Sequence, residues 1–175
     1  KDRQADKKWK PRLKQLLQRK IYHAWVYGEP DWENQLLECQ LAEKVGSQIR
    51  SQVYVVDEDG GGAYVKPRWS KTRFQVLQRA QNRSLIECEL FTGRKHQIRT
   101  KLAFLGYPIV GDKIYSLDGF YYLKRLNQPL ESSDYQALGS HAHQLLSVAL
   151  ELLLDDETVF IEIPGIGNSK VIRGC

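Results

Sequence analysis

Residues 92–106 read TGRKHQIRTKLAFLG, and this stretch is the most informative about the fold. Apolar residues stand at positions 98, 102 and 105, which is the spacing of one face of an α-helix. The Thr-Gly pair at the start predicts a turn, and Gly106 is the residue type that most often follows the last helical turn. We therefore predict a helix that is entered through a turn, is basic in its early turns and ends at Gly106.

Strand patterns precede this helix. Lys71–Gln78 and Ser84–Leu90 alternate in polarity and are separated by Gln81 and Asn82, which predicts a β-hairpin. Ile21–Tyr27 is rich in aromatic and β-branched residues and stops at a Gly-Glu-Pro sequence. This composition predicts a strand followed by a turn.

Further elements are predicted toward both ends of the chain. Leucines at helical spacing predict a short amphipathic helix over residues 11–19. Residues 53–56 predict a short strand that runs into a glycine-rich turn, and Leu145–Leu154 and Thr158–Ile163 predict two late strands. The expected fold class is α+β, with a mostly antiparallel mixed sheet and a few helices.

The composition limits the classes of protein that fit. The chain has 175 residues, of which 42% are hydrophobic, and this is enough to form one ordinary core. Its longest apolar stretch, Leu145–Leu154, is shorter than the roughly 20 residues that a membrane-spanning helix needs, so no membrane partner is expected. The three cysteines are an odd number without metal-ligand spacing, and no signal-peptide pattern opens the chain. A reducing cytosol or organelle interior fits best, and we expect a cytoplasmic protein without a metal site.

Positive charge is concentrated at the start of the chain. Residues 1–20 hold nine Lys or Arg against two Asp, so within a net charge of +5 the remaining residues carry a net −2. A concentrated basic arm favours a polyanionic partner such as RNA, and a solvated helix face is the alternative. Because the sequence contains no methionine and begins at Lys1, we expect a fragment of a longer protein.

Two blocks of the sequence resemble the signature of RluA-type pseudouridine synthases. TGRKHQIR at residues 92–99 matches the family pattern TGR-x-HQ(I/L)R, and GYPIVGDKIY at residues 106–115 matches G-x-P-(I/L/V)-x-GD-x-x-Y. Two weaker blocks agree: KIYHA at residues 20–24 resembles K-x-Y-x-A, and SHA at residues 140–142 resembles (L)HA. The resemblance covers residues 1–165 as the C-terminal part of a catalytic domain and leaves 166–175 as a tail.

The resemblance implies an RNA pseudouridine synthase that needs no cofactor and no metal. Its expected partner is structured RNA, either ribosomal or transfer RNA, and we expect a monomer. In the family, an arginine of the TGR motif pairs with the catalytic aspartate, and the tyrosine of K-x-Y lies against the target base. The arginine corresponds to Arg94 of this sequence and the tyrosine to Tyr22. An arginine within about 4–6 Å of a carboxylate keeps it ionised, which fits that role. A surface arginine and a half-buried strand tyrosine are the alternative interpretations.

The basic residues around the predicted helix are candidates for RNA binding. Lys95, Arg99 and Lys101 lie near its N-terminus, where free N–H groups and the helix dipole favour phosphate. Solvated side chains are the alternative. Lys20 and His96 complete the predicted RNA-binding set.

Other residues of the two blocks have expected structural roles. The side chains of His96 and Gln97 can either contact RNA or have a structural role, in which they cap the helix or brace the loop. Both interpretations remain open. Asp112 lies in the second block, and we expect it to serve structure rather than catalysis, with Gly111 forming a turn and Tyr115 packing.

The family's aspartate motif, H-R-L-D-x-x-(T/S)-S-G, occurs nowhere in the 175 residues. In the family's order it would end just upstream of Lys1, so we expect this chain alone to be inactive. A non-catalytic RNA-binding scaffold or RNA chaperone on the same fold is the alternative function. A protein-interaction domain, suggested only by the four tryptophans, is a third hypothesis.

Overall fold

The computed structural model describes Arg12 and residues 16–57, 62–154 and 157–164. The strands in this part of the chain are β1 (Leu17–Tyr27), β2 (Asn34–Lys44), β3 (Tyr54–Val55), β4 (Tyr64–Arg79), β5 (Arg83–Leu90), β6 (Leu145–Leu154) and β7 (Glu157–Glu162). The helices are α1 (Gln97–Phe104), α2 (Phe120–Asn127) and α3 (Ser132–Ala137), and a 3-10 turn (Leu117–Gly119) precedes α2.

These strands form one sheet in the order β3-β2-β4-β5-β1-β6-β7. Every pair of strands within the described residues is antiparallel. Although β1 comes first in the sequence, it lies between β5 and β6. The predicted α+β class with a mostly antiparallel sheet is therefore confirmed.

A two-residue turn connects the hairpin β4–β5. Gln81 and Asn82 have φ angles of 49° and 62°, as the central residues of a type I′ turn require. Ala80 and Arg83 exchange backbone hydrogen bonds of 2.8 and 3.1 Å across it. The predicted hairpin is confirmed, and its first strand is longer than expected because it starts at Tyr64.

Helix α1 packs on one face of the sheet. Ile98 and Leu102 of the helix are 4% and 0% exposed, and both belong to the main hydrophobic cluster. The strand residues of this cluster are Ala24, Val26, Phe74, Ile86, Cys88 and Leu90. Leu105 packs against the same cluster, so all three apolar positions predicted for the inner helical face lie against the core.

The end of α1 follows the expected glycine rule. Gly106 has a φ of 89°, its N–H donates to the carbonyl of Ala103 at 3.0 Å, and the N–H of Tyr107 donates to Leu102 at 2.8 Å. This pair of bonds is a Schellman motif, which satisfies carbonyl groups that the helix itself leaves unpaired.

The segment that follows α1 returns to β1. Val26 and Ile109 form an isolated antiparallel bridge, and the N–H of Val110 donates to the carbonyl of Trp25 at 2.9 Å. The N–H of Tyr27 donates to Pro108 at 3.0 Å. These contacts hold the second motif block against the end of β1 that β6 does not cover.

The predicted helix over residues 11–19 is wrong at its C-terminal end. Leu17 and Arg19 belong to β1 and pair with Leu152 and Glu151 of β6. The strand edge of β6 supplies tertiary hydrogen bonds that outweigh the local helical spacing. Residues 11 and 13–15 of the predicted helix lie outside the described residues.

Other elements were not predicted. Strand β2 is rich in Leu, Glu, Gln and Lys, which favour helices in isolation, but it pairs with β4 from Asn34–Gln75 to Lys44–Tyr64. Helices α2 and α3 were also not predicted. Most of the predicted glycine-rich turn and the predicted boundary at residue 165 lie outside the described residues. None of the described helices has the length and apolarity to span a membrane.

Gly111 should tolerate an added methyl group poorly. It has a φ of 78°, and a Cβ there would lie 2.2 Å from the carbonyl oxygen of Ala142, whereas Gly106 has a similar φ of 89° and open space. Gly106→Ala should therefore cost only backbone strain, about 1–2 kcal/mol, and Gly111→Ala clearly more. Urea unfolding of both variants measures the difference, and equal losses would contradict the proposed clash.

Candidate active site

The loop between β5 and α1 carries the first motif block, and the side chain of Gln97 fixes its shape. Gln97 is 3% exposed. Its Oε1 accepts hydrogen bonds from the N–H of Arg94 and the hydroxyl of Thr92, both at 2.9 Å. Its Nε2 donates to the carbonyl of Lys71 at 3.0 Å and to the hydroxyl of Thr72 at 2.8 Å. Of the two interpretations left open for Gln97, the structure shows that it braces the loop.

The guanidinium of Arg94 is held at one nitrogen. Its Nε donates to the carbonyl of Trp69 in β4 at 3.0 Å. Among the described residues, the two terminal nitrogens of this side chain have no hydrogen-bond partner. The forked end of Arg94 is therefore available to a carboxylate or phosphate, which arginine binds through two parallel hydrogen bonds.

Arg94 lines a basic groove of about 360 Å³. The groove contains four basic side chains and one acidic side chain, and its lining residues are Leu41, Ala42, Glu43, Val53, Val65, Lys66, Arg68, Gly93, Arg94 and Lys95. This excess of positive charge favours an anionic ligand in the groove.

Strand β1 reaches the same loop. The Nζ of Lys20 lies 3.2 Å from the position that a Cβ on Gly93 would occupy. Burial lowers the pKa of Lys20, and this side chain has no hydrogen-bond or ion-pair partner among the described residues. Tyr22 follows two residues later on the same face of β1, half-buried against the main hydrophobic cluster. The structure thus brings the K-x-Y strand beside the loop that carries Arg94.

A buried ion pair joins the two motif blocks. The Nε and Nη2 of Arg99 donate to the two carboxylate oxygens of Asp112 at 2.6 and 2.7 Å, and the two side chains are 14% and 0% exposed. Burial alone would raise the pKa of Asp112. The hydrogen bonds and charge of Arg99, with the N–H groups of Ile114 and Tyr115, outweigh burial and hold this pKa below its ordinary value. Asp112 therefore has the structural role that we expected.

The hydroxyl of Tyr115 joins three parts of the chain. It accepts hydrogen bonds from the N–H of Val53 at 2.9 Å and the hydroxyl of Thr100 at 3.0 Å, and it lies 3.1 Å from Nδ1 of His96. The direction of the bond to His96 depends on the tautomer, since Nδ1 of a neutral imidazole can either accept from Tyr115 or donate to it. Burial, with the charges of Arg99 and Lys95, lowers the pKa of His96 to about 4, which favours the neutral ring.

The predicted RNA-binding residues differ in their exposure and in their partners within the protein. Lys101 is fully buried, its ammonium donates to the carbonyl of Leu37 at 2.7 Å, and burial lowers its pKa to about 8. Lys101 and Arg99 thus make their polar contacts within the protein, and RNA contact by these two residues stays a prediction. Lys95 lines the groove and forms an exposed ion pair of 2.6 Å with Glu43, and its contact with RNA stays a prediction.

Sequence reasoning missed part of the groove. Lys66 and Arg68 of β4 contribute two of its four cations. The signal was present, since residues 66–73 contain four basic residues, but the hairpin pattern alone did not show which side of the strand faces the motif loop. The described residues contain no group of three or more His, Cys, Asp and Glu side chains that could hold a metal ion.

Comparisons with known proteins agree with this geometry. Residues 1–104 match the model of the RNA pseudouridylate synthase family, and the chain belongs to this family. This match confirms the resemblance to RluA-type pseudouridine synthases that the motif blocks indicated.

Individual proteins give the same result. An uncharacterised RNA pseudouridine synthase of Synechocystis is 32% identical over 153 residues, which are 85% of this chain and 50% of that protein. Ribosomal large subunit pseudouridine synthase D of Zymomonas mobilis is 30% identical over 124 residues, which are 71% of this chain and 35% of that protein. The chain thus spans half of one relative and about a third of the other.

A solved structure shares the fold. The structure of human RNA pseudouridylate synthase domain containing 1 aligns with a TM-score of 0.69 at 21% identity and covers 93% of this chain and 61% of the human chain.

The neutral state of His96 should make stability depend on pH. Below its ordinary pKa of 6.5 the unfolded chain binds a proton at His96, whereas the folded chain does so only near pH 4. The free energy of unfolding should therefore be highest above pH 6.5 and fall as the pH decreases toward 4. His96→Asn keeps a residue that tolerates the φ of 53° and removes this titration, so it should flatten the decrease.

Urea unfolding at about pH 7 and about pH 4.5 tests this expectation. Burial also lowers the pKa of His143. This histidine remains in the variant, so part of the decrease in the free energy of unfolding at low pH should remain. An equal loss of stability in wild type and variant would show that His96 is not the main group.

Proposed function

We propose that this chain forms part of an enzyme that isomerises uridine to pseudouridine in RNA. In this reaction the base leaves C1′, turns, and rejoins the ribose through C5. Family membership supports the proposal. The observation that carries it furthest is the approach of Lys20 to Gly93, because it places the K-x-Y strand beside the TGR loop.

Arg94 is proposed to hold the catalytic aspartate. The 175 residues contain no H-R-L-D motif, so the nucleophile in this proposal comes from outside them. The Nε of Arg94 is anchored on Trp69 and leaves the forked end of the guanidinium for the carboxylate. Such a pair orients the carboxylate and keeps it ionised. Tyr22 is proposed to lie against the target base, and Lys20 to bind a phosphate or the same carboxylate.

The groove beside Arg94 is proposed to bind the RNA backbone. Its four cations and single carboxylate suit a phosphate chain, and Lys95 can exchange Glu43 for a phosphate. We propose ribosomal or transfer RNA as the substrate, and the name of the Zymomonas relative favours ribosomal RNA. A monomer in the cytoplasm remains part of the proposal.

Removing groove cations should weaken RNA binding and its dependence on salt. The test compares the wild-type 175-residue chain with Lys66→Ala/Arg68→Ala on a uridine-containing hairpin RNA. Each lost phosphate contact should lower the slope of log Kd against log salt concentration by about 1. The control is Arg50→Ala/Arg125→Ala, which removes two exposed arginines outside the groove and should keep the slope. The same decrease in both double variants would place the RNA elsewhere.

The catalytic proposal is tested on the longer gene product. Formation of the C1′–C5 bond expels the hydrogen from C5, so tritium release from RNA labelled at that position measures turnover. We expect activity from the longer product, none from the 175-residue chain alone, and a loss of at least about 100-fold with Arg94→Ala. Arg125→Ala is the control and should keep full activity. RNA binding without any pseudouridine formation would favour the non-catalytic scaffold instead.

A further inference from the structure

We infer that Gln97 is a positioning residue for Arg94, and this inference rests on the proposed function. Gln97 is too buried to meet a substrate, since it is 3% exposed. Its effect on the reaction is exerted through the loop that it holds. The side chain connects the backbone of Arg94 to strand β4 and so fixes where the guanidinium points.

The amide of Gln97 uses its whole hydrogen-bonding capacity. Two donors reach β4, at the carbonyl of Lys71 and the hydroxyl of Thr72. The acceptor oxygen receives two bonds from the motif loop, from Thr92 and Arg94. The amide is therefore a bridge with strand atoms on one side and loop atoms on the other.

Only glutamine satisfies this bridge. A glutamate has no N–H donors and would bury a charge, and an apolar side chain would leave buried loop and strand groups without partners. Thr72 is fully buried, so water cannot replace the lost bond there without rearrangement. The hydroxyl of Thr92 also accepts the N–H of Lys71 at 3.0 Å, which makes a second connection between loop and strand.

Strand β4 thus holds Arg94 at two places. Gln97 fixes the backbone through residues 71 and 72, and the carbonyl of Trp69 fixes Nε of the side chain. Both anchors lie on one short piece of β4, which pairs with β5 at Thr72–Leu90. Since β5 also pairs with β1 at Cys88–Tyr22, three neighbouring strands set the position of Arg94 relative to Tyr22. Without the Gln97 amide, the backbone N–H of Arg94 loses its hydrogen bond to this side chain. The guanidinium can then move away from the carbonyl of Trp69.

The first experiment measures the position of Arg94 directly. In the 175-residue chain, nitrogen-15 NMR observes the Nε–H of Arg94 bonded to Trp69. Gln97→Met, which keeps the length of the side chain and removes the amide, should move this resonance to the shift of a free arginine and abolish its protection from solvent exchange. Gln78→Met, an exposed change in the same hairpin, should leave it in place. An unchanged resonance in folded Gln97→Met would overturn the inference.

The second experiment asks whether the effect on activity passes through Arg94. In the longer gene product, Gln97→Met should lower kcat about 10- to 100-fold with a much smaller change in KM. In the Arg94→Ala background the same substitution should have no further effect. An equal loss in both backgrounds would show a general structural role and contradict positioning. If Gln97→Met does not fold, Thr72→Val is the substitute because it removes one of the four bonds of the Gln97 amide. It should lower kcat and shift the Arg94 resonance in the same directions by smaller amounts.

The two experiments separate this inference from the proposed function. An inactive wild-type product would refute the proposed function, and the NMR result would still decide whether Gln97 holds Arg94. An active wild type that loses its activity with Arg94→Ala but not with Gln97→Met would keep the function and refute the positioning role.

Discussion

The ion pair between Arg99 and Asp112 is the interaction on which the arrangement of the site depends. It joins helix α1 to the loop that follows it, and the carboxylate also accepts the N–H groups of Ile114 and Tyr115. A buried pair of this kind recovers its desolvation cost only when its hydrogen bonds are well made, and here all four bonds are at most 3.2 Å. The pair places Tyr115, whose hydroxyl then fixes the start of α1 through Thr100 and His96.

This dependence explains why two separate blocks of sequence form one signature. Gln97 and Arg99 of the first block, with Thr100 directly after it, make contacts within the protein. Asp112 and Tyr115 of the second block are the partners of Arg99 and Thr100. Arg94 keeps the end of its side chain free of partners in the described residues. Most of the signature therefore specifies geometry, and a small part is left to meet a ligand.

The elements that the sequence predicted are those whose pattern is local. The hairpin β4–β5 and helix α1 carry their own turn, spacing and glycine signals, and both were predicted correctly. The helix predicted at residues 11–19 is partly wrong and β2 was missed, because strand partners far away in sequence decide both regions. The ends of long side chains were equally unpredictable, since a lysine such as Lys101 looks solvated until the fold places Leu37 beside it.

Family resemblance gave Arg94 and Tyr22, and the structure added the basic residues of β4. Position in the sequence could not show that Lys66 and Arg68 share a groove with Arg94, because the hairpin must first form. Lys20 was proposed from its motif, and the structure explains its place: the alternation of β1 puts it on the same face as Tyr22 and against Gly93.

The central place of β1 also governs the order in which this chain can fold. β1 leaves the ribosome before β5 and β6, and Ala24 pairs on its second edge only after Leu145 has been synthesised. At a synthesis rate of roughly 5–20 residues per second, that interval is on the order of 10 s. Hairpins close within about 1–10 μs, so β5 can offer a paired edge to β1 well before β6 is synthesised. The other edge of β1 stays open to wrong partners meanwhile, and the charges of Arg19 and Lys20 along it oppose association with neighbouring chains.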